Sequence, residues 1–332
     1  MLYVTTRNTA EQYTALRTLG HNCGPDGGAF VPFRLPTFDR EAIEGLKDLS
    51  FGGCMALVLN KLFLPWLDGV ELDFALGRSP VKLREMSHRI AVAELWHNIH
   101  WKFDWIVKEL TQRLRTESQQ LLPVTEWAEL AVRIGVLFGI YGQLLRSGAV
   151  SLDQGLDVAA ASGDFAMPMA AWYARQMGLP VGTVICCDER SAIWDLLHHG
   201  QVRTAEPLPQ GLERLIYGCL GEEEACRFAK TCERRGVYDL DEEKLALLQQ
   251  GMFASVVSQR RTARRIASVY SGKGYLMGPE TAMAYGGLQD YRATAGESGF
   301  ALILAQRRPK DDLETVAAAI GLEPAGLKAR LD

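Results

Sequence analysis

A short run near the middle of the chain has the residue types to hold an anion: Ser162-Gly163-Asp164-Phe165-Ala166. It follows Gly155 to Ala161, which reads as a strand, and opens a helical stretch from Phe165 to Met177 that Gly178 and Pro180 close. A strand that runs through a glycine-containing turn into a helix presents backbone N–H groups that suit a phosphate. As a bare pattern this is weak, because many α/β proteins place a glycine there for packing alone. A second group of reactive types lies upstream: Glu94, His97, His100 and the amine of Lys102. The i, i+3, i+6 spacing of the first three does not keep them on one helical face, so no metal site is expected. No Ser/His/Asp set is identifiable, and Ser162-Gly163-Asp164 is not a nucleophile elbow. His198-His199 precede Gly200 at a helix end, where such side chains suit the helix dipole.

The surrounding pattern supplies elements that could position these residues. Val181 to Cys187 reads as a second strand and Asp188 to His199 as a second helix. Strand–helix–strand alternation at this spacing implies a parallel sheet with crossover helices. Such sheets bind ligands at the carboxyl ends of their strands. Ile90 to Leu95 is a further strand, with Glu94 near its end, and Phe300 to Ala305 is a late buried strand. Trp127 to Leu145 has helical spacing of Leu130, Ile134, Leu137, Phe138 and Tyr141, which predicts a buried helix. Residues 40–68 carry Phe51, Met55, Leu59 and Leu62 on one helical face, residues 205–270 look mainly helical, and Leu313 to Ile320 reads as a terminal helix. Gly24-Pro25-Asp26-Gly27-Gly28 is a turn-rich stretch.

The composition is that of a folded globular chain: 332 residues, 48% apolar and 23% charged. A net charge of −4 argues against a general nucleic-acid binder. The densest basic run, Arg260-Arg261-Thr262-Ala263-Arg264-Arg265, reads as a solvated helix face with Ile266 and Val269 turned inward. No apolar run is read as long enough to span a membrane, and the N-terminus lacks the pattern of a signal peptide. Seven scattered cysteines predict reduced thiols and a cytoplasmic setting. Cys186 and Cys187 read as half-buried packing residues.

Taken in order, several segments resemble the threonine synthase family of fold-type-II pyridoxal-phosphate (PLP) proteins. Gly24-Pro25-Asp26-Gly27-Gly28 through Val31-Pro32 is similar to that family's "A-P-D-G-G-L-Y-V-P". Glu94-Leu95-Trp96-His97 resembles "E-L-F-H", and Trp127-Ala128 resembles the "I-N-W-A-R" helix. Ser162-Gly163-Asp164-Phe165 is similar to "T-G-N-F-G-N", and Tyr173 to Pro180 to "Y-A-K-K-M-G-L-P". Gly274-Tyr275-Leu276, Pro279 and Thr281-Ala282 resemble "G-Y-L-x-x-P-H-T-A". The resemblance implies an α/β fold, the tryptophan synthase beta-like large domain of fold-type-II PLP enzymes, with an N-terminal helical extension. Residues 1–90 would form the threonine-synthase-like N-terminal region and 91–332 the large domain, with 105–126 in place of a largely deleted small domain. Members of the family convert O-phosphohomoserine and water into threonine and phosphate. Their PLP is bound to a lysine whose deprotonated amine attacks the aldehyde.

The chain departs from the family at four places. In "E-L-F-H-G-P-T-L-A-F-K-D-F" the lysine column falls on Asp104 without a gap, and Lys102 is the nearest amine. Residues 105–126 pass almost directly to Trp127, where the family has a mobile domain that closes over substrate. One glycine of the phosphate loop is Ala166, and Asp164 brings a carboxylate that opposes phosphate. The family's "A-T-A-H-P-A-K-F" becomes Ala305-Gln306-Arg307-Arg308-Pro309-Lys310, so Gln306 replaces the hydroxyl near the pyridine nitrogen. The expected reading is a degenerate, non-catalytic relative that binds a ligand or a protein partner. The other reading is a PLP-dependent lyase acting on a small phosphorylated amino acid, with Lys102 as its Schiff-base amine and residues 162–166 around the cofactor phosphate. Asp164 is also placed to cap the following helix through its own carboxylate.

Overall fold

The computed structural model describes residues 1–63, 67–77, 81–97, 103–114, 124–163, 165–189, 192–205, 208, 211–296 and 299–331. The chain opens with a small antiparallel sheet of β1 (Leu2–Thr5), β2 (Asn8–Thr14) and β3 (Phe30–Pro32), in the order β2-β1-β3. Helix α1 (Ala15–Gly20) lies between β2 and β3, and α2 (Arg40–Glu44), α3 (Phe51–Phe63) and α4 (Gly69–Leu76) follow. The helical N-terminal extension is therefore present, behind a sheet that the sequence reading lacked. The reason is visible in β2, which is mostly exposed and has no apolar alternation to read.

A six-stranded sheet carries the rest of the fold. The chain continues through β4 (Lys82–Ser87), β5 (Ile90–Glu94), α5 (Phe103–Leu114), α6 (Glu126–Arg146), β6 (Leu156–Ala161), α7 (Ala166–Gln176) and β7 (Val181–Asp188). Next come α8 (Ala192–His199), β8 (Gln201–Arg203), α9 (Leu212–Leu220), α10 (Glu222–Glu233), β9 (Val237–Asp239), α11 (Glu242–Gln249) and β10 (Met252–Val256). The C-terminal part holds α12 (Gln259–Lys273), α13 (Pro279–Ala295), β11 (Phe300–Ala305), α14 (Leu313–Ala319) and α15 (Pro324–Leu331). The sheet order is β10-β7-β6-β11-β5-β4. All pairings are parallel except the antiparallel edge pair β4–β5. Strands β8 and β9 form a separate antiparallel pair.

Side chains on the central strands alternate between two apolar layers, as the two-residue period requires. Val158 and Ala160 of β6, Val184 and Cys186 of β7, and Leu302 and Leu304 of β11 face one layer, shared with α3, α6 and α7. Ala159, Ile185, Cys187, Ala301 and Ile303 face the other, shared with α12, α13 and α14. Both faces of a parallel sheet are thus covered by helices. Cys186 and Cys187, expected to be half-buried, are 1% and 0% exposed, because each lies on an inner face of a central strand.

Residues 205–270 are mainly helical as expected, through α9, α10, α11 and α12, and also hold β9 and the edge strand β10, paired in parallel with β7. A run that short cannot be told from buried helix by periodicity alone. One expectation needs correction: Glu126–Arg146 is, by length and composition, long and apolar enough to cross a membrane. Its most apolar window is 83% buried inside the protein, which fits a core helix. The helix starts at Thr125, whose Oγ1 accepts from the N–H of Ala128 at 3.3 Å. It packs against α3 through Gly139, where a Cβ would lie 2.7 Å from the Phe51 ring. Between β5 and α6 the described residues form the single helix α5 and no strand.

Candidate functional site

An open parallel sheet leaves a crevice outside its carboxyl edge where the strand order reverses. From β6 the chain passes through α7 to β7 on one side, whereas β11 is inserted later on the other side of β6. The residues just beyond β6 and β11 therefore stand at the switch point: the loop from Ser162 to Ala166, and Gln306. Glu94 ends β5 beside Ala305 of β11. The structure thus brings together three segments that lie far apart in sequence.

The strand–turn–helix geometry after β6 is present. The N–H of Phe165 donates to the carbonyl of Ser162 at 2.9 Å, and the N–H of Met169 donates to the carbonyl of Phe165 at 3.0 Å. Phe165 is the N-cap of α7 in the left-handed region, with φ +58° and a fully buried ring. A bulky residue there is uncommon, and the burial of the ring holds it. Ser162 is fully buried, and its hydroxyl donates to the Cys187 carbonyl at 3.2 Å. A Cβ at Gly163 would meet nothing within 4 Å, so packing does not demand glycine there. Asp164 and Lys102 lie outside the described residues.

Beyond β11, the Gln306 side chain is engaged. Its Oε1 accepts from Arg133 Nη1 at 2.7 Å, and Arg133 Nη2 donates to Glu129 Oε1 at 2.5 Å. Arg133 is only 6% exposed on α6. At the end of β5, Glu94 is 4% exposed and takes a hydrogen bond from His97 Nε2 at 2.7 Å and a longer one from Arg84 Nε at 3.4 Å. Burial, and then the Glu94 carboxylate, push the Tyr275 phenol well above its ordinary range. The Tyr275 hydroxyl is buried without a well-formed hydrogen bond.

Beside the first turn of α7, Glu126, Glu129, Leu130, Ala166, Met169, Gly211 and Arg214 enclose a pocket of about 40 Å³. Arg214 is 2% exposed, donating from Nε to the Phe30 carbonyl at 3.2 Å and from Nη1 to Glu126 Oε2 at 3.1 Å. Sequence reading missed Arg133, Arg214 and Glu129. A lone arginine inside the apolar run from Trp127 to Leu145 was the one available signal for Arg133. Nothing local marks Arg214, whose partners are distant in the chain.

These residues can be tested against a PLP group. A phosphate is held by several convergent N–H or O–H donors. Here the Ser162 hydroxyl points to β7, and Pro168 in the first turn of α7 has no N–H to offer. The Gln306 amide oxygen is held by Arg133. Among the described residues, the Ser162 hydroxyl and the Gln306 amide oxygen are thus already engaged within the protein. Among the described residues there is no cluster of three or more His, Cys, Asp or Glu side chains placed to hold a metal.

The six-stranded sheet and its helical layers have the α/β fold of the fold-type-II PLP-enzyme large domain, the tryptophan synthase beta-like arrangement. A family profile described as "Threonine synthase N terminus" matches residues 2–73. Human "Threonine synthase-like 2" is 32% identical over 129 residues, covering 36% of this chain and 26% of that protein. Human "Threonine synthase-like 1" is 24% identical over 174 residues, 48% of this chain and 23% of that protein. The matched stretch is thus about a quarter of the length of these curated relatives. The fold is similar to PLP-bound threonine synthase from Brucella melitensis, with a TM-score of 0.82, 17% identity, and coverage of 98% of this chain and 92% of that one. Yeast threonine synthase gives 0.78 and 15%, with coverage of 96% and 90%. Residues 2–73 are thus similar to the threonine synthase N terminus, and the whole chain shares the threonine synthase fold.

Proposed function

We propose that this chain is a non-catalytic relative of the threonine synthases, which keeps the fold as a scaffold for binding a ligand or a protein partner. The observation that carries this reading is the Glu129–Arg133–Gln306 bridge at the switch point. Here the Gln306 amide oxygen is committed to a buried guanidinium. The committed Ser162 hydroxyl and the proline in the first turn of α7 support the same reading. In this view residues 105–126 stand in place of a small substrate-closing domain, which removes gating and water exclusion. Seven cysteines, none of them disulfide-bonded, favour a reducing, cytoplasmic setting.

The test is direct. Purified protein is mixed with PLP, its visible spectrum is recorded, and any adduct is trapped with borohydride and mapped. Phosphate release from O-phosphohomoserine is measured in parallel. The expected result is no stoichiometric adduct and no phosphate release above a buffer control. A stoichiometric adduct on Lys102 with turnover would overturn the proposal and establish the lyase reading.

A further inference from the structure

We propose that the amino-terminal edge of the large sheet carries a separate binding site for a small, multiply charged oxyanion of the phosphate or carboxylate class. The site lies at the opposite ends of the strands from the switch-point crevice, so it stands or falls independently of the reading given above.

Two elements form it. The β4–β5 hairpin turns at His88 and Arg89, both exposed. Helix α13 presents Tyr285, Gln289 and Arg292, whose i, i+4, i+7 spacing puts them on one face. Between them is a cleft of about 770 Å³ lined by Ser87, His88, Arg89, Ile90, Tyr285, Gln289, Arg292 and Ala293. A second cavity of about 250 Å³ also opens on His88 and Arg89, and reaches Phe300 at the start of β11. The larger volume is within the range of small-molecule sites.

Among the described residues the charge of this cleft is one-sided. Arg89, Arg292 and the imidazole of His88 line it, and no described carboxylate does. Arg265, from the basic run of α12, hydrogen-bonds the Gln289 side chain, and its guanidinium lies 5.2 Å from the centre of the Tyr285 ring. The basic run read as a solvated face thus adds a further positive charge behind the cleft wall. The nearest acid on α13, Asp290, is already held by Arg261, at 2.5 and 3.0 Å, and by Ser255 at 2.5 Å. It does not neutralise the cleft.

The hairpin is also fixed in place. Arg292 Nη2 donates to the Arg89 carbonyl at 3.2 Å and the Gly299 carbonyl at 3.1 Å, and the N–H of Ala301 donates to the same Arg89 carbonyl at 2.9 Å. The backbone of Arg89 is therefore pinned, while its guanidinium makes no hydrogen bond or ion pair among the described residues, and neither does the His88 ring. A pinned backbone under an unengaged fork of N–H donors favours bidentate capture of an oxyanion, and the surrounding positive field strengthens it.

The test uses the full chain and isothermal titration with sodium pyrophosphate and, separately, sodium citrate, at low ionic strength. The parent should bind one of them saturably at one site per chain. Arg89→Ala should weaken that binding at least tenfold, with an unchanged circular dichroism spectrum and melting temperature. Arg260→Ala, on the exposed face of α12 away from the cleft, should leave it unchanged. Tighter pyrophosphate binding assigns a phosphate ligand, and tighter citrate binding assigns a polycarboxylate. Absence of saturable binding to both, or equal weakening by Arg89→Ala and Arg260→Ala, overturns the proposal.

Discussion

Arg133 of α6 and Gln306 beyond β11 are joined by a 2.7 Å hydrogen bond across 173 positions of sequence, at the carboxyl edge of the central sheet. The guanidinium is buried and also donates to Glu129 one helical turn away. A hydrogen bond to a charged, buried donor contributes roughly 1.5–3 kcal/mol. Gln306→Ala should therefore destabilise the fold by about 2 kcal/mol, because it removes the hydrogen bond between Gln306 Oε1 and the buried Arg133 guanidinium. Urea denaturation of the variant checks this. A change below about 0.5 kcal/mol, the size of ordinary surface substitutions, would show that the bridge is incidental.

Glu224 predicts a pH dependence. It is 5% exposed, and its carboxylate accepts from Tyr238 Oη at 2.7 Å, Lys244 Nζ at 2.9 Å and Arg227 Nε at 2.6 Å. Burial pushes its pKa up, but the hydrogen bonds from Lys244, Arg227 and Tyr238 outweigh that and hold it below the ordinary carboxylate value. A lowered folded-state pKa means that the unfolded chain binds the proton more readily. The stabilisation is therefore fully present above the unfolded value of about 4.3, and is lost as pH falls through the lower folded value. Glu224→Gln should be less stable than the parent at pH 7, and the gap should narrow below about pH 4. Melting curves across pH 3–7 measure it, and a gap constant with pH would refute the linkage.

The contact of α6 with α3 makes a packing prediction. A Cβ at Gly139 would sit 2.7 Å from the Phe51 ring, and both residues are in the core. Gly139→Ala should destabilise by about 1–3 kcal/mol through overpacking. Gly45 has a φ of −62° and nothing within 4 Å of a built Cβ. Gly45→Ala should be neutral or stabilising by up to about 1 kcal/mol, through the unfolded chain. Equal effects of the two substitutions in denaturant titrations would contradict the packing argument.

Much of the scaffold was legible because its signals are local. The apolar run to Ala161 ahead of the Ser162-Gly163 turn, the long apolar period from Trp127, and the Gly178 and Pro180 stop signals fix strands and helices within a few residues of themselves. The turn after β6 was legible for the same reason. Strand β10 was not, because its five residues are held by pairing with β7 and not by any pattern of their own. The small N-terminal sheet was hidden likewise by its exposed, polar β2.

The sequence alone determined which residues could do chemistry and in what order the segments occur. Only the tertiary structure decided what those residues meet. The Gln306 amide meets Arg133, the Ser162 hydroxyl meets the Cys187 carbonyl, and Arg214 meets Phe30 and Glu126. Each pair joins segments that only the folding of the chain brings within 3.2 Å. A buried polar group must find its partner wherever the fold places one, so its partner is set by topology and not by neighbours in sequence.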